Sequence, residues 1–497
     1  MRLYATALRD FFQIAPPSNQ RLLRSKYLKI VDRPAYNTAI LYHTLFGNLH
    51  ILDSSQLWLI DLFSEPLTWQ EARSSLSGSG SPGHRSLRDL IEELFRLYYL
   101  VPQAFDEREL THQELALRKR RLGTGELIHA VQLNVSEGCN LKCTYCFADR
   151  VDERSSLNSL QSRNQLGTMT AETAIRSINI LTDIIQENGG NELVIKFFGR
   201  EPLLNWAVIQ SVIDYCEADK RDITYHYAIT TNGTLFSSEM VKRLSDVNTA
   251  IVVSLDGPVE GNSLRVTHAG KETFSAVDMG MRLLKEHRIS YCVASVLSDT
   301  NFLLLGSEFI EYLRSVGAQQ WEVKLAMQNT GIMRFSASQY AEKLFELYTL
   351  GERAGISLTG DWYDPFVTLF HTTKFTTDKT VHRLAPNTCS ATDHQISIEP
   401  SGGVFGCRAL DTKLGDVDNL RAMLQTERYN HLAMRTYYNV PLCRGCKLEG
   451  FCQGVCLGHS ERQFNDIYQP DDHYCEIYRK VFDLLITHVE PRKLLSA

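Results

Sequence analysis

The chain has 497 residues, 43% of them hydrophobic and 22% charged, with a formal net charge of −6. That length calls for about two to four domains and allows a large core. The acidic balance gives no electrostatic case for nucleic acid or an anionic membrane as a partner. One basic run, Arg118-Lys119-Arg120-Arg121, sits among Glu and Leu and reads as a solvated helix face. The first residues lack a long apolar stretch and carry Arg9 and Asp10 early, so no signal peptide is expected. No stretch approaches the length of a membrane span, and a cytoplasmic location is expected. There, the twelve cysteines read as metal ligands rather than disulfides. All but Cys216 and Cys292 fall into motifs.

Residues 36–101 read as a unit of their own. Ala39–Leu45 and Leu49–Leu52 are β-like runs around Phe46-Gly47-Asn48, a hairpin turn. Asp53 is an N-cap for a helix carrying Leu57, Ile60, Leu62 and Phe63. Thr68-Trp69-Gln70-Glu71 fits a capping box that opens a second helix. A Gly/Ser/Pro stretch from Gly78 to Gly83 breaks the pattern. A third helix follows, with Leu87, Leu90, Ile91, Leu94 and Leu97 at helical spacing, and Leu100-Val101 returns as a strand. Strands followed by three helices suggest a winged-helix-like domain over 1–105, without the basic face that DNA binding needs. Residues 106–128, charged and helical in pattern, read as a linker.

From 129 to 330 apolar strands alternate with amphipathic helices. Strands are expected over Val131–Val135, Leu193–Phe198, Ile223–Thr230, Ala250–Ser254, Ser290–Val296 and Gln320–Lys324, with helices such as Leu204–Glu217, Glu272–Glu286 and Phe302–Val316. This alternation argues for an α/β fold with parallel strands and crossover helices. The units fit an incomplete, TIM-like (β/α)6 barrel with ligands at the carboxyl ends of the strands. Directly after the first strand comes Cys139-Asn-Leu-Lys-Cys143-Thr-Tyr-Cys146. Three thiolates on one loop can grip three corners of a [4Fe–4S] cube, which usually takes four cysteines, so one iron is left for an exogenous molecule. The alternative is a zinc knuckle or a set of buried thiols, but structural zinc takes four protein ligands and no fourth Cys or His sits nearby in the chain.

This spacing, with aromatic Tyr145 just before the last cysteine, resembles the signature of the radical S-adenosylmethionine (SAM) enzymes. The resemblance implies a [4Fe–4S] cluster on Cys139, Cys143 and Cys146, its open iron chelated by the amino and carboxylate groups of SAM. Phe197-Phe-Gly199-Arg200-Glu201-Pro-Leu-Leu resembles the family's glycine-glycine-glutamate motif. Gly199 and Glu201 match; Arg200 replaces the second glycine and would be strained where φ is positive, which implies a remodelled contact to the SAM amino group. Thr231-Asn-Gly233 and Val253-Ser254-Leu-Asp-Gly-Pro258 also resemble strand-end motifs of the family. There, a Ser like Ser254 and an Arg like Arg265 hold the SAM ribose and carboxylate, a task suited to the guanidinium fork. The cofactor-binding residues so implied are Tyr145, Gly199, Arg200, Glu201, Ser254 and Arg265. Cys216 reads as an inert buried thiol. Cys292 reads as a core cysteine, or as a hydrogen-atom donor if it points into the barrel.

Residues 331–385 read as a helical bridge. A second cysteine pattern then runs Cys389-x12-Gly402-x4-Cys407, Cys443-x2-Cys446-x5-Cys452-x3-Cys456, and Cys475. The run Ile396 to Cys407 reads as a β-hairpin with a Ser-Gly-Gly turn. Spacing alone allows a zinc ribbon from Cys443, Cys446, Cys452 and Cys456. The whole pattern resembles the seven-cysteine SPASM extension of radical SAM enzymes, so 386–497 is expected to be a SPASM domain. The resemblance implies two auxiliary [4Fe–4S] clusters, one on Cys389, Cys407 and Cys456, the other on Cys443, Cys446, Cys452 and Cys475. Three clusters are thus expected. The first auxiliary one has three evident ligands, its fourth iron open to substrate or closed by another residue.

The resemblance also implies the chemistry. One electron cleaves bound SAM to methionine and a 5′-deoxyadenosyl radical, which takes hydrogen from an unactivated carbon while the protein supplies placement and excludes water. The auxiliary clusters are candidate electron acceptors. Glu322, Lys324 and Asp256 lie near strand ends and are geometric candidates for acid or base. SPASM-bearing enzymes act mostly on peptides and proteins. The N-terminal order resembles the peptide-recognition domain of ribosomal-peptide maturation systems, which adds a leader peptide as a strand to an open sheet edge; the other reading is a structural cap. The leading expectation is a peptide maturase acting on a ribosomal precursor to form a crosslink or backbone modification. Its expected partners are the precursor with its leader, an electron donor such as flavodoxin or ferredoxin, and, as an open alternative, a separate recognition protein. The second reading is a sulfatase-maturing-type enzyme that oxidises Cys or Ser to formylglycine. The third is a non-catalytic, zinc-binding winged-helix regulator.

Overall fold

A computed structural model describes residues 19–47, 49–75, 87–148, 167–327, 331–363, 389–452 and 454–489. The N-terminal unit runs β1 (Leu22–Arg24), β2 (Leu28–Arg33), β3 (Thr38–His43), β4 (Leu49–Asp53), α1 (Leu57–Leu62), α2 (Trp69–Ser75), α3 (Leu87–Arg96) and β5 (Leu100–Pro102). β2, β3 and β4 form an antiparallel sheet in that order, and β1 pairs with β5. The expected hairpin is β3–β4, its turn carried by Gly47 at φ 68°; Asn48 of that turn lies outside the described residues. Asp53 accepts a hydrogen bond from Ser55 N. The capping box at Thr68 is reciprocal, Thr68 N to Glu71 Oε2 at 2.8 Å and Glu71 N to Thr68 Oγ1 at 3.2 Å. The Gly78–Gly83 stretch lies outside the described residues. Leu41, Ile60, Phe63, Leu94, Phe95 and Tyr99 close the core of this unit.

Helix α4 (Glu107–Leu122) leads out of the unit. One residue of the basic run departs from its expected solvated face. Arg118 is buried and donates through Nε to the Ala433 carbonyl at 2.9 Å and through Nη2 to that of Thr392. Its guanidinium satisfies carbonyls that the helices of the C-terminal region leave unpaired.

The central sheet follows: β6 (Ala130–Ser136), α5 (Ala171–Glu187), β7 (Glu192–Gly199), α6 (Trp206–Ala218), β8 (Thr224–Thr231), α7 (Ser238–Asp246), β9 (Ala250–Ser254), α8 (Phe274–Glu286), β10 (Tyr291–Leu297), α9 (Ser307–Val316), β11 (Gln320–Leu325), α10 (Ala337–Ala354) and β12 (Ser357–Thr359). The six expected strands are present and parallel, and β12 adds a seventh inside the region expected to be helical bridge. Residues 364–385 of that bridge lie outside the described residues. Helix α9 starts five residues later than expected, because Asn301 instead ties a loop together, donating to the Asp256 carbonyl at 2.6 Å and to that of Val296 at 2.9 Å.

The C-terminal region adds α11 (Ser390–Asp393), β13 (Gln395–Ile398), β14 (Gly403–Phe405), β15 (Gly415–Asp416), α12 (Leu420–Met423), α13 (Glu427–Ala433), α14 (Leu457–Phe464) and α15 (Asp472–His488). The expected hairpin is β13–β14, and β13 pairs in parallel with β6. Barrel and cysteine cassette therefore share one open sheet, ordered β12-β11-β10-β9-β8-β7-β6-β13-β14-β15. Alternate residues such as Ile195, Phe197, Val253, Val293, Trp321 and Val323 are buried in the main core. The opposite, inner face carries Lys196, Ser254, Cys292, Glu322 and Lys324, which are only half-buried. This period of two is the strand alternation itself. Among the described residues no helix is long and apolar enough to cross a membrane.

Candidate active site

The Cys139–Cys146 loop leaves the carboxyl end of β6 and lies along residues 264–268. Lys142 N donates to Val266 O at 2.7 Å, Thr144 N to Leu264 O at 3.0 Å, and the His268 ring bonds the Cys139 carbonyl at 2.9 Å. From the end of β8, Asn232 Nδ2 reaches Asn140 Oδ1 at 2.8 Å. The Thr-Asn-Gly motif thus braces the loop.

Gly199 sits at φ 128°, and a Cβ there would lie 2.4 Å from Ser136 O; this position admits only glycine. Arg200 is not among the described residues with positive φ, so the strain expected of it does not arise. Its Nη2 donates to the Ala148 carbonyl at 3.0 Å. Glu201 is fully buried rather than a surface group. Its carboxylate accepts from Thr231 Oγ1 at 2.7 Å, Asn232 N at 2.8 Å and Leu203 N at 3.0 Å, tying the ends of β7 and β8 together. Burial raises its pKa against the pull of these donors.

Asp256, expected as a candidate acid or base, is committed elsewhere. It is buried, accepts from the Tyr145 hydroxyl and takes Val296 N at 2.9 Å. Arg265 Nη1 donates to the same Tyr145 oxygen at 2.8 Å and lies 3.8 Å from Asp256. Burial raises the Asp256 pKa and Arg265 opposes it. The three side chains lock the aromatic position of the cysteine motif to the loop after β9. Arg265 Nε, also buried, has no protein partner. A donor left over in such a place suits an anionic group. Ser254 stands on the inner face in register with Ala294.

The ten motif cysteines fall into three sets that feel one another's charge. Cys139, Cys143 and Cys146 form one. Cys389 interacts with Cys407 and Cys456. Cys475 interacts with Cys452, Cys443 and Cys446. Burial pushes several of these thiols up, Cys143 to about 11 and Cys389 and Cys443 to about 12. Several sulfurs already accept backbone N–H groups two residues on: Cys139 from Leu141 at 3.3 Å, Cys407 from Ala409 at 3.4 Å, Cys446 from Leu448 at 3.5 Å and Cys452 from Gly454 at 3.3 Å. Half-buried cysteines whose sulfurs meet N–H donors fit iron–sulfur ligation, in which such bonds stabilise thiolate charge. Among the described residues no three Cys, His, Asp or Glu side chains converge as a single-ion site.

Other residues of the site carried no signal in the sequence. Glu137, just ahead of the first cysteine, meets Arg408 at 2.6 Å, and Arg408 meets Glu399 at 3.0 Å. This buried triad joins the Cys139 loop to the residue after Cys407. By contrast, Glu322 and Lys324 of β11, both expected as candidate acid or base, pair with each other at 3.1 Å. Cys216 is buried on α6 as expected, whereas Cys292 stands on the inner face rather than in the helix-side core.

Residues 133–301 match the family model of the radical SAM superfamily, and residues 389–447 that of SPASM, an iron-sulfur cluster-binding domain. Over 469 residues the chain is 28% identical to the radical SAM cyclopropyl synthase TigE of Paramaledivibacter caminithermalis, spanning 94% of this chain and 96% of that one. Over 373 residues it is 23% identical to a cysteine-type anaerobic sulfatase-maturating enzyme of Clostridium perfringens, spanning 70% of this chain and 93% of the relative. Two solved structures share the fold. Native anSMEcpe with bound AdoMet superposes with TM-score 0.58 at 20% identity, covering 73% of this chain and 98% of its own. Streptococcus suis SuiB bound to precursor peptide SuiA gives 0.51 at 16% identity, covering 91% and 99%.

Proposed function

We propose that this chain, an enzyme built from a radical SAM domain and a SPASM iron-sulfur domain, modifies a residue of a ribosomally made precursor peptide. The observation that carries this reading is the N-terminal unit. Among the described residues β4 pairs on one side only, with β3, while the far side of the sheet, at β2, abuts the C-terminal helix through Arg33 Nη2 to Val489 O at 2.6 Å. A winged-helix-like unit with one open edge suits a leader peptide added as a strand. The similarity to a cyclopropyl synthase extends over nearly the whole chain, whereas that to the sulfatase-maturating enzymes spans 70% of it.

Cys139, Cys143 and Cys146 would hold a [4Fe–4S] cluster, and the two cassette sets would hold two more. With SAM bound, the first cluster supplies hydrogen abstraction from an unactivated carbon. The chain's own part is placement. Arg265 Nε would offer a donor to the SAM carboxylate, Ser254 would serve the ribose, and Tyr145 is held by Asp256 and Arg265. The substrate residue enters along the inner face, where Glu322 and Lys324 take the acid and base roles that the committed Asp256 leaves open. Flavodoxin or ferredoxin supplies electrons, and the enzyme works in the cytoplasm.

The test is mass spectrometry of peptides incubated anaerobically with reconstituted enzyme, SAM and reductant. A precursor peptide that carries its leader should lose hydrogen, and its leaderless form should react far less. Formylglycine in a sulfatase-derived Cys or Ser peptide, with the precursor unchanged, would favour the sulfatase-maturing reading instead.

A further inference from the structure

Lys196 stands on the inner face of β7, in register with Gln132 of β6 and Ala228 of β8. Its Nζ reaches Gln395 Oε1 at 2.8 Å, on the strand between Cys389 and Cys407. The neighbouring Gln132 accepts the backbone N–H of Arg408, the residue after Cys407, at 3.1 Å. These two side chains thus underlie the hairpin that presents Cys407.

The other cations here have carboxylate partners. Arg462 forks onto Asp411 at 3.0 and 3.1 Å, Lys324 meets Glu322 at 3.1 Å, and Arg408 meets Glu137 at 2.6 Å and Glu399 at 3.0 Å. Among the described residues Lys196 meets only a neutral amide. An ammonium drawn from water without a counter-charge is costly. Cys389 and Cys407 flank the hairpin that Lys196 and Gln132 underlie, and as cluster thiolates they would carry the negative charge that the ammonium lacks, an influence that opposes the lowering of its pKa by burial.

We infer that Lys196 is the counter-charge of the first auxiliary cluster and raises its reduction potential. This rests on the reading of Cys389, Cys407 and Cys456 as cluster ligands. A [4Fe–4S] core of charge 2+ on three thiolates carries one net negative charge, and one added electron makes it two. A fixed cation nearby favours the more negative state, so the cluster accepts an electron more readily.

The test is an anaerobic redox titration with dithionite, followed by electron paramagnetic resonance on the full reconstituted chain. The first auxiliary signal is the one lost in Cys389→Ala/Cys407→Ala/Cys456→Ala. Lys196→Met should shift its midpoint to lower potential, leave the other two midpoints in place and keep all iron. Lys196→Arg should restore the midpoint. An unshifted midpoint in iron-replete Lys196→Met would overturn the inference. Should Lys196→Met shed iron, Lys196→Gln, which can still bond Gln395 without the charge, decides by the same criterion. If the triple cysteine variant keeps every signal and all its iron, the cluster reading has failed, and the inference with it.

Discussion

The two cysteine sets of the cassette come from one stretch of chain but meet different surroundings. The three-thiol set belongs to the barrel: Cys407 follows a hairpin that continues the central sheet, above Gln132 and Lys196. The four-thiol set belongs to the N-terminal unit. Gly450, between Cys446 and Cys452, donates to the Thr44 carbonyl at 2.5 Å. Arg108 forks onto Glu449 at 2.9 and 3.0 Å. Tyr42 of β3 packs against Phe482 with ring centroids 5.2 Å apart and against Phe451 at 5.9 Å. The difference teaches that the first set is positioned by the inner face of the central sheet. The second is held by the N-terminal unit, so truncating that unit should disturb the four-thiol site as well as any peptide binding that the unit supplies.

The largest effects divide the sets by iron. Cys456→Ser should cost the three-thiol site about four of about twelve irons, and Cys475→Ser should cost the four-thiol site the same. A zinc ribbon on Cys443, Cys446, Cys452 and Cys456 would instead make Cys456→Ser damage the four-thiol site and leave Cys475→Ser harmless. Next comes Arg108→Met, which strands the buried Glu449 carboxylate. Breaking such a pair costs about 3 kcal/mol or more, so the thermal transition should fall and iron should leave the four-thiol site first. Gly450→Ala should cost about 1–3 kcal/mol, because its Cβ would lie 2.4 Å from Gly47 N. Precursor affinity should fall while SAM cleavage without peptide persists; equal loss of both would erase the contrast between the sets.

The smallest effect is a pH dependence. His43 is fully buried beside Glu107 and Ser25, and burial holds its pKa below 6.5 against the opposing pull of Glu107. The unfolded chain therefore takes up a proton first as pH falls. Stability present above about pH 6.5 should be lost below it, by up to about 1.4 kcal/mol per pH unit. His43→Gln should flatten that slope when melting is followed from pH 8 to about pH 5.5.

Where the signal was local, the sequence was legible. The six central strands and the β3–β4 hairpin follow from short-range periodicity and turn chemistry, and the cysteine spacings marked the loops to be joined. Contacts set by packing across the fold were hidden. β12 has three residues, too few for alternation to register. The pairing of β13 with β6 joins strands some 265 residues apart, as Ser397 to Gln132 shows. Asp256 looked available because nothing local reveals that Tyr145 and Arg265 occupy it. Arg118 looked solvated because the carbonyls it satisfies lie near residues 392 and 433.

The most direct measurement is iron, sulfide and zinc on anaerobically reconstituted protein, with 5′-deoxyadenosine assayed after SAM and reductant are added. Wild type should hold about twelve irons and release 5′-deoxyadenosine. Cys139→Ala/Cys143→Ala/Cys146→Ala should keep about eight irons and release none. Zinc in place of iron with SAM left intact, or SAM cleavage that survives loss of those three thiols, would contradict the reading of this chain as a radical SAM enzyme.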